Sequence, residues 1–353
     1  MRRALRILAI GTLAVVSLIA ASAGGFYLWA VGRRDARLAG AYEVPPHGFP
    51  IPFPLTEAEK DALRTELRLT APAGGETPPA MEPGAPEPDP LAGADLEKLA
   101  MDRAVARGKH LLEARYACLL CHGSDLGGGT MIEDAMVGTV KAPNLTTGHG
   151  SATATYTAVD WDRKVRHGVN PAGHPGMMPS VDYFGMSDRE LSDLVAYIRS
   201  LPPVDRVAPP IAFGPLGTVL VATGKFRMSA DLHPDHAAPH AVEPPPEGPT
   251  AEFGHHLAGI CVGCHRADFV GGPIAGGPPD WPPAANLTPH EEGLRAWSYA
   301  DFVTLLRTGI RPDGIATRVP MAEAIPLANA MTEVELQALW AHFQSLPPLP
   351  DGT

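Results

Sequence analysis

Hydrophobic and polar positions follow three patterns along the chain, and each predicts a different kind of element. From Ile7 to Gly32 the apolar pattern is unbroken, with 26 residues carrying no charge. About 20 apolar residues cross a bilayer as a helix, whereas the apolar core of a cleaved signal peptide is only ~7–15 residues long. Residues 1–32 therefore read as a transmembrane anchor. Phe26, Tyr27, Leu28, Trp29 and Val31 prolong the run, and Tyr27 and Trp29 suit a membrane interface. Ala21-Ser22-Ala23 resembles a cleavage site, which leaves removal of the segment as the other reading. Arg2, Arg3 and Arg6 place the C-terminal bulk outside, against a weaker vote from Arg33 and Arg34.

The second pattern has no period. Residues 33–94 read as a Pro/Gly-rich linker, and 71–92 are almost entirely Ala, Pro, Gly, Glu, Thr and Asp, a composition that cannot bury a core. A short helix over Thr56–Leu69 is the exception, without an obvious apolar face. Residues 204–249, which include Pro244-Pro245-Pro246, read as a second linker.

The third pattern is helical and occurs twice. Ser187 and Glu190 form a capping box, followed by Leu191, Leu194, Val195 and Ile198 on one helical face. Thr332 and Glu335 repeat the box, followed by Leu336, Leu339, Trp340 and Phe343. Both helices run into Ser-Leu-Pro-Pro, where proline stops them. They close an internal repeat over 95–203 and 250–348. Each copy opens with a short helix containing Gly-x-x-Leu, from Gly108 and from Gly254. Each then has Asn-Leu-Thr, at 144–146 and 286–288, and a helix ending in Arg-x-Gly, at Arg166 and Arg307. No hairpin or alternating strand pattern stands out. The expected fold is all-α, with one domain over 95–203 and a second over 250–353.

Composition changes this picture little. The 39 Pro and 37 Gly fit short helices joined by irregular loops. A net charge of −11 argues against nucleic acid as a partner and suits basic protein surfaces or simple solubility.

The cysteines change it decisively. All four lie in two copies of one motif, Cys118-Leu119-Leu120-Cys121-His122 and Cys261-Val262-Gly263-Cys264-His265. Cys-x-x-Cys-His is the attachment signature for c-type haem. Two thiols reach the two vinyl groups on one porphyrin edge, and the next residue turns its imidazole onto the iron. A zinc site or a redox dithiol is the alternative for a bare Cys-x-x-Cys. Neither explains the histidine after each pair, nor a repeated domain built around each. Two haems c are expected.

The second axial ligand follows from spacing. His122 to Met178 is 56 residues, and His265 to Met321 is also 56. The match selects Met178 over its neighbour Met177. Met186 and Met331 recur too, but each directly precedes a capping residue and reads as core. His233, His236 and His240, set among Pro and Ala, read as solvated linker residues. His167 has Thr308 as its counterpart, so it is not expected to serve both domains.

Both repeats resemble class I cytochrome c domains, and the pair resembles the membrane-anchored two-haem cytochromes c of bacteria. The resemblance rests on both Cys-x-x-Cys-His motifs, Pro143-Asn144-Leu145-Thr146, Met178-Pro179 and the capped final helices. It implies a haem crevice in which the first and last helices of each repeat cross at Gly108 and Gly254. It implies that the Pro143 carbonyl orients the ligand histidine. In the second repeat Pro282 and Pro283 fall out of register for this role, and Met321 is followed by Ala322 rather than proline. Trp161 and Arg166, with Phe302 and Arg307 at matching positions, are candidates to contact haem propionates or to serve ordinary helix packing.

A Met-ligated haem has no free iron site, so the expected function is relay of single electrons, not catalysis. The expected partners are a membrane dehydrogenase or quinol-oxidising complex upstream and a terminal oxidase or soluble cytochrome downstream. The expected location is the inner membrane, with the haem domains on the periplasmic face. The competing readings are a haem enzyme, of the two-haem peroxidase or thiosulfate dehydrogenase type, and the cytochrome subunit of a membrane dehydrogenase complex.

Overall fold

The structure is a computed structural model that describes residues 2–70, 88–233, 235–274, 277–278 and 280–352. It is predominantly helical. Helix α1 (Arg2–Leu38) carries the uncharged run. Among the described residues it is the one helix long and apolar enough to cross a membrane. Its apolar side chains from Ile7 to Leu28 are exposed, but Ala30 is fully buried.

The first linker does not hang free where it is described. Val44, Phe49 and Leu55 are buried, and Phe49 joins the same core as Trp161 and Leu191. Helix α2 (Glu57–Thr70) is capped by Thr56 and Glu59 and buries Leu63 against Leu55, Leu91 and Ala100. Val44, Phe49 and Leu55 are spaced singly among prolines, so they show no period, yet each packs on residues of the first repeat. Most of the low-complexity stretch, 71–87, lies outside the described residues.

In the first repeat, α3 (Leu96–His110) leads through residues 111–115 to α4 (Cys118–His122). A small sheet then departs from the helical expectation. β1 (Gly129–Asp134) and β2 (Gly138–Ala142) form an antiparallel hairpin, and β3 (Ala212–Phe213) pairs antiparallel with β2. The Asp134 carboxylate accepts from the backbone N–H groups of Met136 (2.8 Å) and Val137 (2.7 Å), which closes the turn. β1 is largely exposed, so no apolar alternation announced the hairpin.

Helices α5 (Ala158–Val165) and α6 (Asp188–Ser200) complete the repeat. The capping box of Ser187 and Glu190 forms as expected, and Leu191, Leu194, Val195 and Ile198 are buried. The apolar run at 218–222 belongs to α7 (Pro215–Ala222), which packs against α1; Arg34 of α1 donates to the Thr218 hydroxyl at 2.9 Å.

The second repeat follows the same order. It comprises α8 (Ala251–Leu257), α9 (Val262–His265), α10 (Tyr299–Thr308), α11 (Met321–Ala330) and α12 (Glu333–Ser345). α3 crosses α6 at Gly108, where a Cβ would stand 2.0 Å from the Asp193 carbonyl oxygen. α8 crosses α12 at Gly254, where a Cβ would stand 1.9 Å from the Ala338 carbonyl oxygen. Only glycine permits either approach.

The repeats meet through reciprocal contacts. Ala114 of the first is fully buried in the core of the second, and Ile260 of the second packs on the core of the first. His110 bonds Glu335 at 2.9 Å, and His256 bonds Glu190 at 2.8 Å. Both glutamates are also the capping residues of their own final helices. Arg115, itself buried, donates to Glu335 and lies 3.7 Å from Glu190.

Candidate functional site

The helical turn at α4 puts Cys118 and Cys121 three residues apart on one face, and α9 with its preceding turn does the same for Cys261 and Cys264. All four thiols are unpaired. Burial pushes the Cys118 and Cys261 thiols up to about 12, with Cys121 beside the first and Asp182 beside the second adding to the shift. These are not the exposed, low-pKa thiolates of a redox dithiol.

Each motif histidine is held by its outer nitrogen. His122 Nδ1 donates to the Pro143 carbonyl at 2.8 Å, and His265 Nδ1 donates to the Ala285 carbonyl at 2.7 Å. Burial lowers the pKa of both rings, outweighing the carbonyl that raises it. Each ring is thus neutral at pH 7, with Nε2 left for a metal. In the second repeat neither Pro282 nor Pro283 takes the orienting role. A backbone carbonyl suffices, and Ala285 offers one as well as proline does.

Met178 packs against the core that contains Cys118 and Trp161, and Met321 packs against the core that contains Phe302 and Leu339. Met177 belongs to neither core cluster. Met186 and Met331 are buried core residues. Asn-Leu-Thr proves to be a latch: Asn144 donates to the Val204 carbonyl (2.6 Å) and accepts from Thr146 (2.8 Å). Asn286 does the same with Leu349 (2.8 Å) and Thr288 (2.8 Å). Each latch ties the loop after the motif to the chain leaving the final helix.

The propionate candidates divide. Trp161 is buried, and its Nε1–H has no hydrogen-bond partner. Such an orphan donor calls for an acceptor the protein does not supply. Arg166 is already engaged, with Asp162 (2.8 Å), Asp188 (2.8 Å) and the Met186 carbonyl (3.1 Å). Arg307 donates to the Asn329 carbonyl. Both arginines thus brace the segment before a final helix.

The structure also joins residues that spacing kept apart. The turn Ser180–Tyr183 of the first repeat rests on the second motif, where a Cβ at Gly263 would stand 2.9 Å from the Asp182 carboxylate. Burial raises Asp182 to about 7, although the Gly263 backbone N–H works against the shift. Glu323 of α11 faces the first motif closely enough for its charge to raise the Cys121 thiol, after burial. His167 of the first repeat gathers His233, His236 and His240, which the sequence placed in solvent; His233 is buried and the other two half-buried. The signal was available only as a count of histidines.

Unpaired, buried or half-buried thiols beside a neutral imidazole aimed by its outer nitrogen, with an orphan indole donor in the first repeat, fit a covalently attached haem. They do not fit a zinc site, which would draw four thiolates together. The class so defined is the c-type cytochrome. Comparison with known proteins agrees: residues 105–202 match the family described as Cytochrome c, so this part of the chain is a cytochrome c domain.

Over 261 residues the chain is 28% identical to the alcohol dehydrogenase (quinone) cytochrome c subunit of Gluconacetobacter polyoxogenes, covering 66% of this chain and 54% of that one. It is 24% identical over 271 residues to a diheme cytochrome c-type protein of Cereibacter sphaeroides, covering 69% of this chain and 86% of that one. It is 26% identical over 280 residues to the gluconate 2-dehydrogenase cytochrome c subunit of Pantoea cypripedii, covering 70% and 60%. The chain spans about half the length of the alcohol dehydrogenase subunit it matches.

Proposed function

We propose that this cytochrome passes single electrons through two haems c, as the electron-carrying subunit of a membrane dehydrogenase complex. Bound haem supplies a reversible one-electron iron couple. Cys118 and Cys121 would hold the first and Cys261 and Cys264 the second, with His122 and Met178, and His265 and Met321, as the residues that would ligate the irons. The Trp161 indole would donate to a propionate. A thioether as the second ligand would favour a higher potential than a second imidazole.

The observation that carries this reading is the interlocking of the motifs. The turn after Met178 rests against the second motif at Gly263, and the helix beginning at Met321 brings Glu323 to the first. Both proposed centres thus share one packed interface, which suits a relay. Upstream, the names of the relatives favour a quinone-linked dehydrogenase; a quinol-oxidising complex would deliver electrons in the same way. Downstream, a terminal oxidase or a soluble cytochrome would accept them, and a net charge of −11 suits a basic partner surface. α1 would anchor the chain in the inner membrane with the haem domains on the periplasmic face. A peroxidase or thiosulfate dehydrogenase would need an iron with an open or cysteine-bearing position, and no cysteine lies outside the two motifs.

Purification from membranes tests this. The expected product retains two haems after acid–acetone extraction, a mass of apoprotein plus two haems, and a dehydrogenase subunit in stoichiometric amount. A mass with one haem, or rapid turnover of peroxide or thiosulfate by the isolated chain, would sink the proposal.

A further inference from the structure

Four histidines outside the haem motifs gather beside α5. His167, almost fully buried, lies between two rings of the second linker. Its Nδ1 is 3.0 Å from His236 Nδ1, and its Nε2 is 3.1 Å from His240 Nε2. The row ends on carbonyl oxygens at both sides. His240 Nδ1 is 3.2 Å from that of Phe184, and His236 Nε2 is 3.1 Å from that of Ala230. The fourth ring, His233, bonds the Ser180 hydroxyl at 2.9 Å.

The row contains four contacts, and each requires one hydrogen. Three neutral imidazoles bring only three. One contact must therefore be filled by an added cation, either a proton or a metal ion. Local charge asks for the same thing. Asp162 and Asp188 both pair with Arg166, which leaves one negative charge unanswered. His47 bonds Asp188 at 2.8 Å from a half-exposed position. The second oxygen of Asp162 is buried without a hydrogen-bond partner, 3.7 Å from His167 Nε2.

We propose that a divalent transition-metal ion binds between His167 Nε2, His240 Nε2 and the free carboxylate oxygen of Asp162. The ligand atoms these three residues offer already lie within 4.8 Å of one another. Nitrogens each ~2.0–2.1 Å from a tetrahedral ion stand about 3.4 Å apart, so the rings separate by only a few tenths of an ångström. With the ion in the His167–His240 contact, the three remaining contacts take the three remaining hydrogens. His240 Nδ1 then donates to Phe184, His167 Nδ1 to His236, and His236 Nε2 to Ala230. Each ligand histidine thus has its outer nitrogen fixed by an acceptor, as metal-bound imidazoles do. A proton is the poorer candidate: seated between His167 and His240 it would leave the second Asp162 oxygen buried without a partner, whereas an ion at the same place also takes that oxygen. Imidazole and carboxylate ligands select zinc, copper or nickel. The ion would pin the linker between the repeats to α5 of the first repeat.

The test uses the full-length haem-loaded protein, stripped with chelator and then exposed to Zn²⁺ alone. Elemental analysis should find one zinc per chain, and His240→Gln should weaken uptake by about tenfold or more. His290→Gln, in the second repeat, should leave it unchanged. Zinc-edge X-ray absorption of the wild-type protein should show imidazole scattering, which decides the matter even if the variant fails to fold. No zinc in the wild type, equal uptake in His240→Gln, or an edge spectrum lacking imidazole would overturn the proposal.

Discussion

His110 of the first repeat hydrogen-bonds the carboxylate of Glu335 in the second at 2.9 Å, and Glu335 is 1% exposed. The same carboxylate accepts from the Thr332 backbone and from Arg115. One side chain therefore caps a helix and closes a domain interface. Burial alone would raise its pKa, but the His110 hydrogen bond and the Arg115 guanidinium outweigh burial and hold it at about 2, against the usual 4.5. Its contribution to stability is complete above pH 4.5 and is lost as pH falls toward 2. Glu335→Ala should cost about 1–3 kcal/mol at neutral pH, because it strips the buried carboxylate from Arg115, which keeps Glu247 as a partner, and removes half of the α12 capping box. Calorimetry should then show the repeats unfolding separately. A single unshifted transition would refute the coupling.

The helix crossings make a sharper test of fold. Gly108→Ala and Gly254→Ala each drive a methyl into a backbone carbonyl, which no rotamer can relieve. Each should lose about 1–3 kcal/mol in urea unfolding. Gly185→Ala, with nothing within 4 Å of the added carbon, should stay close to wild type.

Axial ligation can be read by spectroscopy. The oxidised protein should show the weak near-infrared sulfur-to-iron band. Met178→Ala and Met321→Ala should each remove about half of it if both irons carry methionine. Met177→Ala should leave it intact; its loss there, with retention in Met178→Ala, would move the ligand by one residue.

Much of this was legible in the sequence because it is written locally. Two capping boxes and two apolar helical faces each lie within a dozen residues, and all appear in the structure where expected. What stayed hidden depends on distant partners. Phe49 looked like a linker residue because its groove is made by Trp161 and Leu191, over a hundred residues away. The hairpin at 129–142 is held by an Asp134 turn and an exposed strand, neither of which leaves an apolar rhythm. Arg166 was a candidate for a propionate until the fold brought Asp188 and the Met186 carbonyl to it. The histidines at 233, 236 and 240 could not be placed without His167, which is more than sixty residues upstream.

Several contacts between the repeats recur in both directions, with histidine on capping glutamate twice, Ala114 in the core of the second repeat and Ile260 packed on the core of the first. A surface that answers itself in this way is what a two-fold axis produces between identical subunits. Each repeat carries a histidine and a capping glutamate at matching positions, and Arg115, with Cys261 as its counterpart in the register that pairs His110 with His256, is where the two-fold likeness breaks. Joining the two copies by residues 204–249 makes their association intramolecular, at an effective concentration no free subunit reaches. In these contacts the chain is a near-symmetric pair held in one polypeptide, and its two halves need not stay alike.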